Sequence, residues 1–263
     1  MRAIVTGAAR GIGRAIALRL AADAAQHGGA RLVLTDLHED ELQSLADEVR
    51  ALGGEARVVT GDMSQPGHPA ALAAAAQAFG GLDAVASNAG AAIPGALLDY
   101  RLEDWDKVFA LHARAPWLLA RACHPALKAS GGSFVITASI SGSHATAPLG
   151  AYSPSKAAAL MLARQLAVEW GPDGIRVNSV SPGMTVTPGT APAYREPEAR
   201  AQREARVPLR RIGLPQDMAG AVAFLMGKDA AYITGVDLLV DGGLQHTVMG
   251  AVNMAGWQKK MKR

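Results

Sequence analysis

The chain has 263 residues, a net charge of +3 and a sequence pI of about 9.2. Its 19 % charged and 49 % hydrophobic residues suit a packed core and argue against disorder. Basic residues are scattered without interleaved aromatics, no run of about 18 apolar residues occurs, and the histidines are dispersed, so nucleic acid, a membrane and a metal are not expected partners.

A strand is predicted over residues 3–6, an apolar run with a β-branched pair. It ends in Thr6-Gly7-Ala8-Ala9-Arg10-Gly11-Ile12-Gly13, and a helical pattern follows from Ala15. Glycines at such a junction let the backbone approach a pyrophosphate, and the helix N-terminus offers unpaired N–H groups. The spacing is Gly-x-x-x-Gly-x-Gly rather than Gly-x-Gly-x-x-Gly. A tight turn also wants glycine for its own sake. Gly7, Gly11 and Gly13 together, at one strand-to-helix turn, favour the nucleotide.

The second strand, 31–35, runs into Asp36. A carboxylate at that strand end accepts hydrogen bonds from an adenosine ribose and repels a 2′-phosphate. Arg10 argues the other way, since a guanidinium in the glycine loop welcomes a phosphate. Leu37 and His38, not an arginine, follow Asp36. The balance predicts NAD over NADP, with Arg10, Asp36 and Leu37 on the adenosine side.

Further strands are expected at 56–59, 84–86, 133–137, 175–180 and 236–240, and helices at 39–52, 70–79, 105–128, 153–170 and 215–226. Apolar strands alternating with helices imply an α/β fold whose parallel sheet is covered on both faces. Right-handed crossovers make it a doubly wound, Rossmann-like sheet of about seven strands, with its ligand site at their carboxyl ends. No linker or shift of composition divides residues 1–263, which predicts a single dinucleotide-binding and catalytic domain. The N-terminus enters the first strand at once, so no signal peptide is expected. Cys123 is the only cysteine, and its helical stretch suits a packed side chain in a reducing, cytoplasmic compartment. The basic cluster 259–263 reads as a solvated tail.

Ser139 follows the fifth strand, and the next helix carries Tyr152-Ser153-Pro154-Ser155-Lys156. Positions four apart share a helix face, so Tyr152 and Lys156 project side by side. A cation favours the phenolate, which brings a tyrosine into the range of acid/base work near neutrality. Ser139 supplies a hydroxyl to hold a substrate oxygen against that phenol. A lone Tyr-x-x-x-Lys spacing is most often a surface pair; the glycine loop at the other end of the chain gives it weight.

These segments together resemble the compact single-domain short-chain dehydrogenase/reductase family. The likeness runs from Arg2 to about Leu244, and its pieces occur in the family's order. They are the glycine loop, Asp62-Met63, Asn88-Ala89-Gly90, Ser139, Tyr152 with Lys156, Asn178-Ser179-Val180-Ser181-Pro182-Gly183 and Val240-Asp241-Gly242-Gly243. The resemblance implies that Gly7, Gly11 and Gly13 wrap the pyrophosphate, with the Ile12 N–H nearby. Asp62 then faces the adenine with Met63 beside it, and Asn88, Ala89 and Gly90 support the adenosine side. Ser139 orients the substrate oxygen, and Tyr152 is the acid/base. Lys156 binds the nicotinamide ribose and lowers the Tyr152 pKa. Pro182 and Gly183 pass the nicotinamide, with Thr185 and Thr187 at its carboxamide.

One position departs from the pattern. The family usually has asparagine in the long helix before Ser139, where it helps to hold a water relay behind the lysine. Here Ala110-Leu111-His112-Ala113-Arg114 places His112 there. Imidazole donates, accepts and carries a proton near neutrality, which makes His112 a fourth catalytic candidate. The alternative is a tolerated substitution, with the backbone carbonyl still holding the water.

Residues 187–211, rich in proline, read as a substrate lid. Met184, Tyr194 and Arg195 are candidate substrate contacts, as are Ser141, His144, Ile93 and Pro94. The small residues at 157–163 permit close helix packing, and the resemblance implies a dimer or homotetramer through that helix. The expected activity is hydride transfer between C4 of a nicotinamide and a secondary alcohol or carbonyl. His144, Tyr194 and Arg195 lean toward a sugar, polyol or other small hydroxylated substrate, and NAD leans toward oxidation. A reductase of 3-oxoacyl groups on a carrier protein shares the same catalytic set. A nicotinamide-sensing binding protein shares only the cofactor pocket, and intact Ser139, Tyr152 and Lys156 speak against it.

Overall fold

The computed structural model of the protein describes residues 1–247; the basic cluster 259–263 lies outside them. Its strands are β1 (Arg2–Thr6), β2 (Arg31–Thr35), β3 (Glu55–Val58), β4 (Ala84–Ser87), β5 (Ser133–Thr137), β6 (Arg176–Pro182) and β7 (Asp237–Val240). They form one seven-stranded sheet in the order β3-β2-β1-β4-β5-β6-β7. Every pairing is parallel. The helices are α1 (Gly11–Ala24), α2 (Glu39–Ala51), α3 (His68–Gln77), α4 (Leu102–Phe109), α5 (Ala115–Ser130), α6 (Tyr152–Trp170), α7 (Pro197–Arg206) and α8 (Pro215–Met226).

Successive strand residues point to opposite faces, and here both faces are apolar. In β1 and β2, Ala3, Val5, Leu32 and Leu34 enter the core under α1, α2 and α8. Ile4 and Val33, between them, enter the core under α3, α5 and α6. The strand order reverses between β1 and β4, so the chain leaves their carboxyl ends in opposite directions and opens a crevice there. Thr6-Gly7, Asp36, Asn88, Ser139 and Gly183 all stand at or just beyond strand ends on that edge.

The predicted single helix over 105–128 is two helices joined by one π-helical turn, Ala110–Arg114. The Ala115 N–H bonds back five residues to the Ala110 carbonyl. Pro116 contributes to the break, because it has no N–H to give to the His112 carbonyl four residues earlier. This widened turn carries His112. The region 187–211 contains a short 3-10 turn, Ala191–Tyr194, and α7. Its base is tied to the body by the Thr185–Gly213 bridge, with Val186 N–H bonding the Gly213 carbonyl at 2.9 Å. Among the described residues, no helix is long and apolar enough to cross a membrane, and no cluster of His, Cys, Asp or Glu is placed to hold a metal.

Candidate active site

The glycine loop is bare backbone. Gly7 and Gly11 both have left-handed φ values, 64° and 53°, which a side chain disfavours. A Cβ on Gly13 would lie 2.0 Å from the Gly7 carbonyl oxygen. Helix α1 begins here with no side-chain cap and no acidic residue in its first turn. Its first N–H groups therefore have no intrahelical or side-chain claimant, which fits a pyrophosphate.

The loop is braced from β4. The buried Thr6 hydroxyl accepts the N–H groups of Asn88 and Ala89, each at 2.9 Å. The Asn88 amide donates to the carbonyls of Thr6 (3.2 Å) and Gly7 (3.4 Å). Asn88 thus acts on the shape of the turn. Ala89 backbone packs against Gly7, and a Cβ on Gly7 would lie 2.9 Å from its Cα.

On the adenosine side, Asp36 accepts the Ala9 N–H at 3.1 Å and the Leu37 N–H at 2.7 Å. Leu37 itself is exposed at the rim. Arg10 is not free: its guanidinium grips both carboxylate oxygens of Glu41 on α2. Arg14 is likewise held on α2, by Glu48 and the Glu41 carbonyl. Partial burial opposes ionisation of Asp62, but the Ser64 N–H at 2.8 Å, the Ser64 and Gln65 side chains and the Lys107 charge together hold the carboxyl below its usual range. The Met63 side chain is buried in the core beneath α3 and α5. His68, beneath Gly61, shares a 2.8 Å hydrogen bond with the Thr35 hydroxyl, and burial pushes its pKa down.

Ser139, Tyr152 and Lys156 converge on the crevice. Ser139 leaves β5 in extended conformation and its hydroxyl accepts the Ser141 N–H at 3.1 Å. The buried face of α6 reads Ser155, Lys156, Ala159, Leu160, Ala163, a helical stripe that pulls Lys156 inward. Lys156 is 4 % exposed, and its ammonium donates to the Thr137 carbonyl at 2.8 Å. Burial lowers the Lys156 pKa to about 8. The lysine nitrogen stands 5.7 Å from the centre of the Tyr152 ring.

Lys156 was expected to lower the Tyr152 pKa, and burial acts against that lowering. Burial pushes the phenol up, and only the Ser139 hydroxyl pulls it down. Desolvation disfavours the phenolate, and the ammonium is turned to the Thr137 carbonyl.

His112 is also buried, at 2 % exposure. Burial, then the Lys156 charge, push its pKa down to about 2. Its ring stands edge-on to Tyr152 with centroids 5.4 Å apart.

Toward the nicotinamide side, Gly183 lies so close to Asp241 that a Cβ would meet it at 2.6 Å. Pro182 closes β6. Thr185 is buried and its hydroxyl donates to the Gly183 carbonyl at 3.1 Å. Thr187 reaches over the glycine loop, where its Cβ would lie 3.3 Å from a Cβ on Gly11. Gly90 is exposed and faces the Lys156 ammonium.

The substrate candidates divide. Ser141 is buried and its hydroxyl pairs with Thr146 at 2.8 Å, so it serves the loop. Tyr194 is half-buried with Arg203 5.9 Å above its ring. Burial raises its phenol, against the pull of Arg203 and the Thr185 backbone. The Ile93 carbonyl accepts the Tyr100 hydroxyl at 2.8 Å. His144, Pro94 and Arg195 are exposed, and Met184 is half-buried at the lid base. Thr6, Thr137, Ser155 and Glu41 are site residues that the sequence reading did not assign. Thr6 and Ser155 lie inside the quoted motifs, but no local signal tells whom their hydroxyls meet.

A family model described as enoyl-(acyl carrier protein) reductase matches residues 7–245. The 2,5-dichloro-2,5-cyclohexadiene-1,4-diol dehydrogenase LinX of Sphingobium indicum is 37 % identical over 92 % of this chain and 94 % of its own. An L-rhamnose 1-dehydrogenase (NAD(P)(+)) of a Sphingomonas species is 38 % identical over 92 % of this chain and 94 % of its own. The Pseudomonas aeruginosa RhlG/NADP active-site complex superposes with a TM-score of 0.85 at 30 % identity, covering 93 % of this chain and 96 % of its own. The chain belongs to the short-chain dehydrogenase/reductase family. It is an NAD(P)-dependent oxidoreductase acting on a CH–OH or C=O group.

Proposed function

We propose that this short-chain dehydrogenase prefers NAD and acts on a sugar, polyol or other small hydroxylated substrate. The observation that carries the cofactor preference is the engagement of Arg10 by Glu41 beside the Asp36 carboxylate. A 2′-phosphate at that rim would meet Asp36 while its natural cation is already paired. The substrate class is supported by the relatives that act on a diol or on rhamnose. Exposed His144 and Arg195 give a polar rim suited to hydroxyl groups.

When bound, the nicotinamide gives or takes the hydride. The chain's own residues handle the proton and the position of the substrate oxygen. The Ser139 hydroxyl holds that oxygen, and the Tyr152 phenol gives its proton to a carbonyl or takes one from an alcohol. Lys156, anchored by Thr137, holds a positive charge beside the phenol and a donor toward the exposed Gly90 side of the crevice, where a ribose fits. Residues 187–211 act as a lid that excludes water once substrate is bound. We assign the protein to the cytoplasm and to a homo-oligomer, a dimer or tetramer, on the same reading.

A screen of sugars, polyols and hydroxy acids with NAD and NADP, following absorbance of the reduced cofactor, tests the proposal. Turnover of a polyhydroxylated substrate with NAD is the expected result. Turnover confined to acyl-carrier thioesters, or to NADP, overturns it.

A further inference from the structure

We propose that His112 is a positioning residue, a neutral strut between the loop after β4 and the first turn of α6, and that it does not relay protons. The proposal rests on the catalytic reading of Tyr152 and Lys156. Both ring nitrogens of His112 are spoken for. The Ala91 N–H donates to Nε2 at 3.1 Å. A backbone N–H can only donate, so Nε2 is an acceptor and the ring proton sits on Nδ1. Nδ1 lies 2.8 Å from the Ser155 hydroxyl oxygen, and that hydroxyl donates in turn to the Tyr152 carbonyl at 2.7 Å. The sequence of bonds therefore runs one way, from Ala91 through His112 and Ser155 to Tyr152.

This chain of bonds touches the catalytic residues at two places. Ser155 precedes Lys156 in the same helical turn and is bonded to the backbone of Tyr152. Ala91 follows Gly90, and a Cβ on Gly90 would lie 3.0 Å from His112 Nε2 and 3.5 Å from Lys156 Nζ. The imidazole thus sets the separation between the Gly90 loop and the lysine. The groups that face it with charge or a titrating proton are Lys156 and Tyr152. A relay through the ring needs a partner at each nitrogen that can give or take a proton, and the Ala91 backbone N–H at Nε2 cannot release its own. The π turn is the local device that makes this possible: it directs residue 112 inward, toward α6.

Two measurements test the strut. In wild-type protein labelled with ¹⁵N, long-range proton–nitrogen correlation reports the tautomer of each histidine directly. His112 is expected to keep the neutral Nδ1–H pattern from about pH 5 to about pH 9. Titration within that range, or the Nε2–H tautomer, overturns the proposal whatever the enzyme's substrate. The second measurement is a double-mutant cycle in kcat. Loss of the strut should lower kcat by about 10- to 100-fold in His112→Leu, with cofactor Kd nearly unchanged, because misplacement costs the chemical step. Ser155→Ala, nearly isosteric, should fall in the same direction. The double variant should be little worse than His112→Leu alone, since both break one chain of bonds. His112→Asn keeps a donor near Nδ1 and should recover part of the rate. The pH profile of kcat should keep its shape in all variants. Wild-type kcat in Ser155→Ala, additive losses, or a profile that changes shape in His112→Leu would each support a relay or a bystander and sink the strut.

Discussion

Arg10 of the glycine loop and Glu41 of α2 form a two-point ion pair across the rim of the adenosine pocket. Both side chains are about half exposed, so water screens the pair and it adds little to stability. Its consequence is in selectivity rather than stability. Glu41→Gln should free Arg10 and improve NADP relative to NAD by about two- to fivefold, a small effect because the pair is screened by water. Asp36→Ala should shift the ratio further, because it removes the repulsive carboxylate itself. The ratio of kcat/KM with the two cofactors, and their Kd values, check both. An unchanged ratio in Glu41→Gln would remove Glu41 from the argument.

Tyr152→Phe should lower turnover by about 10²–10⁴-fold while cofactor affinity stays nearly intact. The phenol oxygen carries the proton, and the ring alone keeps the packing against His112. Steady-state rates and cofactor titration on the same preparation decide the point. Retention of more than about a tenth of wild-type turnover would unseat the assignment.

Lys156 makes a pH-dependent contribution to stability. Burial lowers its pKa from 10.5 to about 8 in the folded chain. Below about pH 8 the ammonium is charged in both states, and the folded state carries the full desolvation cost, on the order of 3 kcal/mol. Between about pH 8 and 10.5 the unfolded chain binds more protons, so stability rises with pH. Lys156→Met lacks this rise. Its advantage in unfolding free energy over wild type should be greatest near neutrality and should shrink as pH climbs through that window. Denaturant unfolding of both proteins at pH 7, 8.5 and 10 measures it; a constant difference would contradict the buried cation.

Thr6→Val should destabilise the fold by about 2–4 kcal/mol and weaken cofactor binding. The substitution keeps the shape but strips the acceptor from the buried N–H groups of Asn88 and Ala89. Those groups have the Thr6 hydroxyl as their partner at the turn that the glycines form. Urea denaturation and cofactor titration read the two effects separately.

Much of the site was legible because it is local. Gly7, Gly11 and Gly13 are close in sequence, and Tyr152 and Lys156 are one helical turn apart, so backbone geometry alone brings them together. Strand ends shifted by only a residue or two, as where β6 runs on to Pro182. The long helix did not survive as one piece, because a π turn leaves the 3.6-residue hydrophobic pattern almost undisturbed. The partner of Ser141, Thr146, lies across a loop whose path no motif describes, so that bond was not legible in the sequence.

By itself, the sequence determined the alternation of strand and helix and the sheet it demands, since these follow from periodicity within single elements, and its ordered motifs carried the resemblance that names the catalytic groups. Only the tertiary structure decided the state of each group. Whether Tyr152 is raised or lowered depends on the balance of burial and neighbours, and the turn of Lys156 toward Thr137 comes from another strand. The tautomer of His112 is decided by Ala91 and Ser155, 21 and 43 residues away along the chain. Desolvation and partner choice are properties of three-dimensional surroundings, and no pattern along the chain encodes them one residue at a time.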